Sequence, residues 1–274
     1  MEFDYPYARK TRPWLRSPGI HQLYHLLQAS NARAAEVLEG FAHLREPLSR
    51  IRARPAASDP PGTPHWDNEY LPALDAIAIY GFLARTNPGV YLEIGSGNST
   101  RFAARAIADH GLRTRIVSID PQPRAEIDAL CDEVVRAPLE ELEPERFTEL
   151  TAEDVVFLDG SHRSFQSSDV TVFFLELLPV LPRGVIYGIH DVFLPADYPL
   201  HWVDRWYNEQ YLLAAYLHGG AGGDEIVLPC SHVASQEALV AKLDPLWRLA
   251  ELRDAPRFGS SFWLKRGARS GSAE

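Results

Sequence analysis

Two short runs of the chain hold the side chains best suited to moving a proton. FLDGSHRSF sets Asp159 three residues before His162, and YGIHDVFLP sets His190 beside Asp191. An imidazole that titrates near neutrality can take the proton of a hydroxyl as its oxygen attacks an electrophile, while a neighbouring carboxylate fixes the ring's orientation. On this reading His162 and His190 are the candidate bases, and Asp191 or Asp159 orients them. The same residues suit a second chemistry, in which Asp159, Asp191 and His190 hold a divalent cation that lowers the pKa of the hydroxyl. The nitrogen in the middle position is a softer ligand than Mg²⁺ prefers, so a metal is the less favoured route and none is assigned. A third reading makes His162 a loop residue and the His190-Asp191 pair a purely structural hydrogen-bonding element.

A different stretch, YLEIGSGNSTRF, has the look of a ligand-binding turn. Gly95 and Gly97 supply a G-x-G pattern, Thr100 stands where a dinucleotide fingerprint has its third glycine, and Glu93 lies just upstream. A strand, a glycine turn and a helix bring backbone close to a ligand and turn free N–H groups toward negative charge. A carboxylate at position 93 would repel a pyrophosphate on that loop, whereas it would attract ammonium and sulfonium groups. Asp120 closes the strand in IVSIDPQP, where it can accept hydrogen bonds from ribose hydroxyls. The structural alternatives are that Glu93 faces water at a strand end and that Asp120 caps the helix after Pro121.

Elements must place these loops together. Short apolar runs at Val90–Ile94, Arg115–Ile119, Glu133–Val135, Asp154–Leu158 and Val185–Ile189 read as strands, with helices between them, notably Thr100–His110 and Ser164–Leu178. That alternation predicts a Rossmann-like α/β fold with a doubly wound, mostly parallel sheet. Two later strands, Glu225–Pro229 and Ser261–Lys265, bring the count to seven and predict antiparallel pairing at the edge. Between and after them the pattern predicts helices over Val203–Leu217 and Gln236–Leu252. Before the sheet, apolar spacing from Pro13 to Arg54 predicts a helical extension broken near Asn31, and RPAASDPPGTP reads as a linker. The division expected is an extension over 1–60, a main domain over 61–266 and a disordered tail over 267–274.

EIGSGNS, Glu93 to Ser99, resembles the first motif of class I S-adenosylmethionine-dependent methyltransferases, with Ser99 in place of their frequent last glycine. D-G-x-H followed by H-D at later strand ends resembles a subgroup of that family whose substrates include sugar and natural-product hydroxyls. The resemblance spans about Trp66 to Lys265 and implies S-adenosylmethionine as cofactor, with a small molecule as acceptor. It implies cofactor contacts from Glu93, Gly95, Ser96, Gly97, Asn98, Asp120 and Asp159, and catalysis by His162, His190 and Asp191. A covering segment at Trp66, Asn68 and Tyr70, and acceptor contacts at Trp202, Arg205 and Tyr207, are further expectations. Two other functions stay open on sequence grounds: an NAD(P)-dependent oxidoreductase, which leaves Glu93 unexplained, and a non-catalytic nucleoside-binding or interaction domain. A G-x-S-x-G hydrolase elbow is absent from the sequence.

Bulk properties agree with an enzyme of small molecules. The 274 residues are 46% hydrophobic, enough for a large core, and carry a formal net charge of −10, which argues against nucleic acid as a partner. The first 58 residues are net basic, a feature that a solvated helical face explains. Cys131 and Cys230 have no metal or redox spacing, and no apolar run reaches the roughly 20 residues that span a bilayer. A cytoplasmic location without a membrane partner is expected, and a homo-oligomer is left open.

Overall fold

The computed structural model describes Trp14 and residues 17–267. The expected tail therefore lies outside the described residues, Gly267 excepted. Seven strands form one sheet: β1 (Val90–Ile94), β2 (Arg115–Ile119), β3 (Glu133–Val135), β4 (Val155–Leu158), β5 (Ile186–Ile189), β6 (Glu225–Pro229) and β7 (Phe262–Lys265). Their order is β3-β2-β1-β4-β5-β7-β6, and β7 runs antiparallel to both of its neighbours. The Rossmann-like reading of the sequence, including its antiparallel last strand, holds. The chain winds outward from β1 to β3 and then returns to place β4 on the other side of β1, so a crevice opens at the carboxyl ends of β1 and β4.

Strands that are apolar on both faces need cover on both. Alternation along β1 sends Tyr91 into one core and Leu92 and Ile94 into another, and β4 does the same with Phe157 against Val156 and Leu158. The first face is covered by α4 (Ala73–Thr86), buried throughout Ala73 to Leu83, and by α5 (Asn98–His110). The extension joins that core. It forms α1 (Pro18–Ala29), α2 (Asn31–Ala42) and α3 (Arg45–Leu48), and α2 contributes Ala34, Leu38 and Phe41. Gly81 makes the approach close, because a Cβ there would lie 2.3 Å from the Phe41 ring. The break expected near Asn31 falls at Ser30, whose hydroxyl turns back to the Leu27 carbonyl.

Three helical expectations need correction. The one over Ser164–Leu178 begins only at Asp169, where Ser168 caps the first turn: α6 (Asp169–Val172), a wider π turn over Phe173–Leu177 and α7 (Leu178–Val180) follow. The aromatic helix expected over Val203–Leu217 is two pieces, a 3₁₀ segment at Leu200–Arg205 and α8 (Glu209–His218). Trp206 between them has φ 59°, a left-handed conformation that no helix accommodates. The helix expected over Gln236–Leu252 is a set of short turns that follows α9 (Cys230–Ala234): α10 (Glu237–Val240), a 3₁₀ turn, then α11 (Asp244–Trp247). Pro245 has no N–H for the preceding turn and restarts the chain there. Among the described residues no helix is long and apolar enough to cross a membrane.

Candidate active site

A cleft of about 1110 Å³ opens over the crevice between β1 and β4. Its floor is the glycine loop, and the two glycines there differ in kind. Gly95 has φ 80°, and a Cβ on it would fall 1.9 Å from the Asp159 carbonyl, so the loops after β1 and β4 touch only because that side chain is missing. Gly97 is extended at φ 171°, and a Cβ there would meet nothing within 4 Å. Packing does not require glycine at 97; its bareness leaves the cleft floor open. Ser96, Asn98 and Ser99 line the cleft beside it, at the start of α5.

Asp120, at the end of β2, also lines the cleft and braces the loop. One carboxylate oxygen accepts the Ser96 N–H at 2.8 Å and the other the Gln122 N–H at 2.8 Å. The next helical turn begins only at Asp128, so Asp120 caps no helix directly after Pro121; its carboxylate braces its own turn and faces the cleft. Asn98 donates to Asn68 at 3.0 Å, which ties the loop to the segment expected to cover it. Within that segment Trp66 is buried against Phe102, ring centroids 5.2 Å apart, while Tyr70 stays exposed with the Arg124 guanidinium 5.5 Å above its ring.

Glu93 is placed otherwise than expected. It is fully buried and is not among the cleft-lining residues. Tyr91 donates to one of its oxygens at 2.9 Å and the Thr100 hydroxyl to the other, while the same Thr100 oxygen accepts the Gly97 N–H at 3.0 Å. Position 100, which looked like a missing glycine, is therefore a joint between β1 and the start of α5. Burial pushes the Glu93 carboxyl up to about 7, against the pull of the hydroxyls around it.

The two polar runs converge as expected, and more tightly. Asp159 presents one oxygen to both rings, 3.4 Å from His162 Nε2 and 3.2 Å from His190 Nδ1. Asp191 lies 3.5 Å from the same nitrogen of each. The outer nitrogens end on carboxylates that the sequence reading missed: His162 Nδ1 on Glu209 at 2.5 Å and His190 Nε2 on Asp75 at 3.2 Å. Asp75 is itself anchored by the backbone N–H groups of Ser260 and Ser261, both at 2.8 Å. A carboxylate in the first turn of the otherwise apolar ALDAIAIYGF helix was the available signal for Asp75; nothing local marked Glu209.

Electrostatics reverses the expected character of the rings. Burial disfavours both imidazolium ions, yet the facing carboxylates outweigh it: Glu209 and Asp159 raise His162 well above the usual histidine range, and Asp159 and Asp191 do so for His190. The surrounding carboxylates thus favour the protonated form of both rings. Asp159 is the reciprocal case, since burial pushes it up but the His190 and His162 imidazoles hold it well below the ordinary carboxylate range. Burial likewise lifts Glu209 to about 7 against the pull of His162. His162 and Asp191 also have left-handed backbones, φ 60° and 55°, a strain that recurs where a side chain must be aimed. Among the described residues no group of three or more His, Cys, Asp or Glu side chains is arranged to hold a metal ion.

Exposure separates the members. Asp159 and His162 line the cleft, whereas Asp191 and Ser260 line a second cavity of about 1030 Å³. His190 is 2% exposed and lines neither. The second cavity has an aromatic corner: Phe193 meets Trp202 edge-on at 5.1 Å and stacks on Phe258 at 5.9 Å. Of the three expected acceptor contacts, Trp202 lines this cavity; Tyr207 packs on the His162 ring at 4.4 Å, and Arg205 lies over Trp202 at 4.0 Å. The segment Asp67–Leu71 borders both cavities, with the acid–imidazole chain between them.

Residues 92–192 match a family model described as a methyltransferase domain. No curated protein matches the chain. Solved structures similar to it include the MycE methyltransferase from the mycinamycin biosynthetic pathway, in complex with Mg, S-adenosylhomocysteine and mycinamycin VI (15% identity, 68% of this chain and 46% of that one, TM-score 0.38). The chain spans about half the length of that protein. The O-methyltransferase TomG from Streptomyces achromogenes, involved in tomaymycin synthesis and bound to S-adenosylmethionine, is 15% identical over 75% of this chain and 83% of that one, TM-score 0.40. The Podospora anserina methyltransferase PaMTH1, bound to S-adenosylhomocysteine, is 16% identical over 70% and 78%, TM-score 0.42. The methyltransferase-domain match covers residues 92–192, the part of the sheet that builds the cleft.

Proposed function

We propose that this chain is an S-adenosylmethionine-dependent methyltransferase that transfers a methyl group to a hydroxyl of a small molecule, with the cofactor in the cleft over the glycine loop and the acceptor in the second cavity. The observation that carries this reading is the acid–imidazole chain set between two cavities, with Asp159 and His162 facing one and Asp191 facing the other. S-adenosylmethionine supplies an electrophilic methyl on sulfonium sulfur. The open floor at Gly97, the start of α5 and the Asp120 carboxylate fit its amino acid and ribose ends, and Asp159 adds negative charge facing the same space.

In this arrangement Asp191 accepts the hydroxyl proton as the oxygen–carbon bond forms and the carbon–sulfur bond breaks. His162 and His190, each set among three carboxylates, fix the direction of Asp191. Glu209 and Asp75 are positioning residues, one for each ring. Alignment of oxygen, methyl and sulfur supplies most of the acceleration expected, because the methyl donor is already activated.

Calorimetric titration with S-adenosylhomocysteine, repeated with NAD, tests the cofactor assignment. Micromolar binding of the first without the second is expected, and Asp120→Ala should weaken it by about 1 to 3 kcal/mol. Binding of NAD alone would favour the oxidoreductase reading. No binding of either would favour the non-catalytic domain.

A further inference from the structure

A cofactor with an amino-acid end brings a carboxylate as well as an ammonium group, and the N–H groups of the glycine loop are already taken. The Gly95 N–H goes to the Ile119 carbonyl at 2.9 Å, the Ser96 N–H to Asp120 at 2.8 Å and the Gly97 N–H to Thr100 Oγ1 at 3.0 Å. The carboxylate therefore calls for a side-chain donor. Three guanidinium groups line the cleft, those of Arg101, Arg124 and Arg163. Arg124 is exposed and lies over Tyr70, and Arg163 gives its Nε–H to the Arg205 carbonyl at 3.0 Å. Arg101 differs from both. It is half-buried in the first turns of α5, close after Gly97, and its Nε–H is buried with no acceptor among the described residues. Its Nη1 donates to Asn98 Oδ1 at 3.2 Å, and Asn98 donates in turn to Asn68 at 3.0 Å, which ties the guanidinium to the loop and to the covering segment. That Asn98 amide is the one hydrogen-bond partner of the Arg101 side chain among the described residues. A half-buried cation with an unpaired buried N–H is costly until an anion completes it.

We propose that Arg101 holds the carboxylate of the bound cofactor and so makes the cleft select S-adenosylmethionine over its decarboxylated form. This inference rests on the cofactor assignment above. The two molecules share the sulfonium, the ammonium and the nucleoside, and only the carboxylate separates them. Overall charge works the other way: carboxylates outnumber guanidiniums in the cleft lining, so their field draws the more cationic, decarboxylated molecule more strongly. A preference for S-adenosylmethionine then requires a local cation, and at the glycine loop that cation is Arg101. The start of α5 adds to its effect, since the N-terminal end of a helix favours an anion.

Titration calorimetry of the full chain with S-adenosylmethionine and with decarboxylated S-adenosylmethionine reads the preference in the wild type, in Arg101→Gln and in Arg101→Met. The wild type is expected to bind S-adenosylmethionine about tenfold more tightly than the decarboxylated molecule. Either variant should lose about tenfold in affinity for S-adenosylmethionine while binding the decarboxylated molecule no more weakly than the wild type does. One variant suffices for the decision where the other does not fold. No preference in the wild type, a variant that keeps the preference, or a variant that weakens both ligands equally would overturn the proposal while leaving an S-adenosyl cofactor in the cleft. A wild type that binds neither molecule would overturn the cofactor assignment, and the proposal with it.

Discussion

At the scale of single residues, the two glycines of the loop make separable demands. Gly95→Ala should abolish folding or lower the melting temperature strongly, because its Cβ would collide with the Asp159 carbonyl at a φ of 80°. Gly97→Val should leave the melting temperature within a degree or two but weaken S-adenosylhomocysteine binding, since its side chain enters only open cleft. Thermal melts paired with titration calorimetry read both; a Gly97 variant that unfolds would assign that glycine to the fold instead. The histidines give a second residue-scale expectation. His162 is raised first of all by the Glu209 carboxylate, so Glu209→Gln should move the His162 titration, followed by ring-proton NMR, toward lower pH. The His190 titration, governed by Asp159 and Asp191, should move much less. Equal movement of both would contradict the pairing seen in the structure.

At the scale of elements, the joint between β1 and α5 carries a buried acid. A carboxyl raised in the folded state, from about 4.5 to about 7 for Glu93, favours folding below the lower value and is progressively costly as pH rises to the higher one. Wild-type stability should therefore fall between about pH 4.5 and 7 by roughly 3 kcal/mol relative to Glu93→Gln, which has no proton to lose. Urea unfolding of both chains at pH 4.5 and 7.5 reads that difference, and parallel profiles would mean the carboxylate is better compensated than its burial implies. The aromatic stretch after β5 shows how an element can mislead. Apolar spacing made it one helix, whereas Trp206 turns left-handed and delivers Asn208 to the Ser164 N–H and Glu209 to His162. The break places the acid that the ring needs.

At the scale of the molecule, the extension and the sheet share a core. Phe41 in α2 packs edge-on against Phe82 of α4 at 5.2 Å, and Phe82 in turn meets Trp263 of β7 at 4.7 Å. Phe41→Ala should cost about 3 to 5 kcal/mol, and thermal unfolding should remain one cooperative transition, because no boundary in that core lets the extension melt alone. Two calorimetric peaks would show the extension to be an independent unit.

Sequence alone determined the strand count, the doubly wound order, the place of the glycine loop and the nearness of Asp159, His162, His190 and Asp191, because each follows from local apolar periodicity and from the rule that strand ends meet at a switch point. The direction of Glu93, inward to Thr100 rather than outward to a ligand, was decided by what packs on β1. Only tertiary structure could pair His190 with Asp75, 115 residues away, and His162 with Glu209, 47 residues on, and so tilt both rings toward their protonated form. A pKa is set by the charges and burial around a group, and those belong to the folded neighbourhood rather than to the residue.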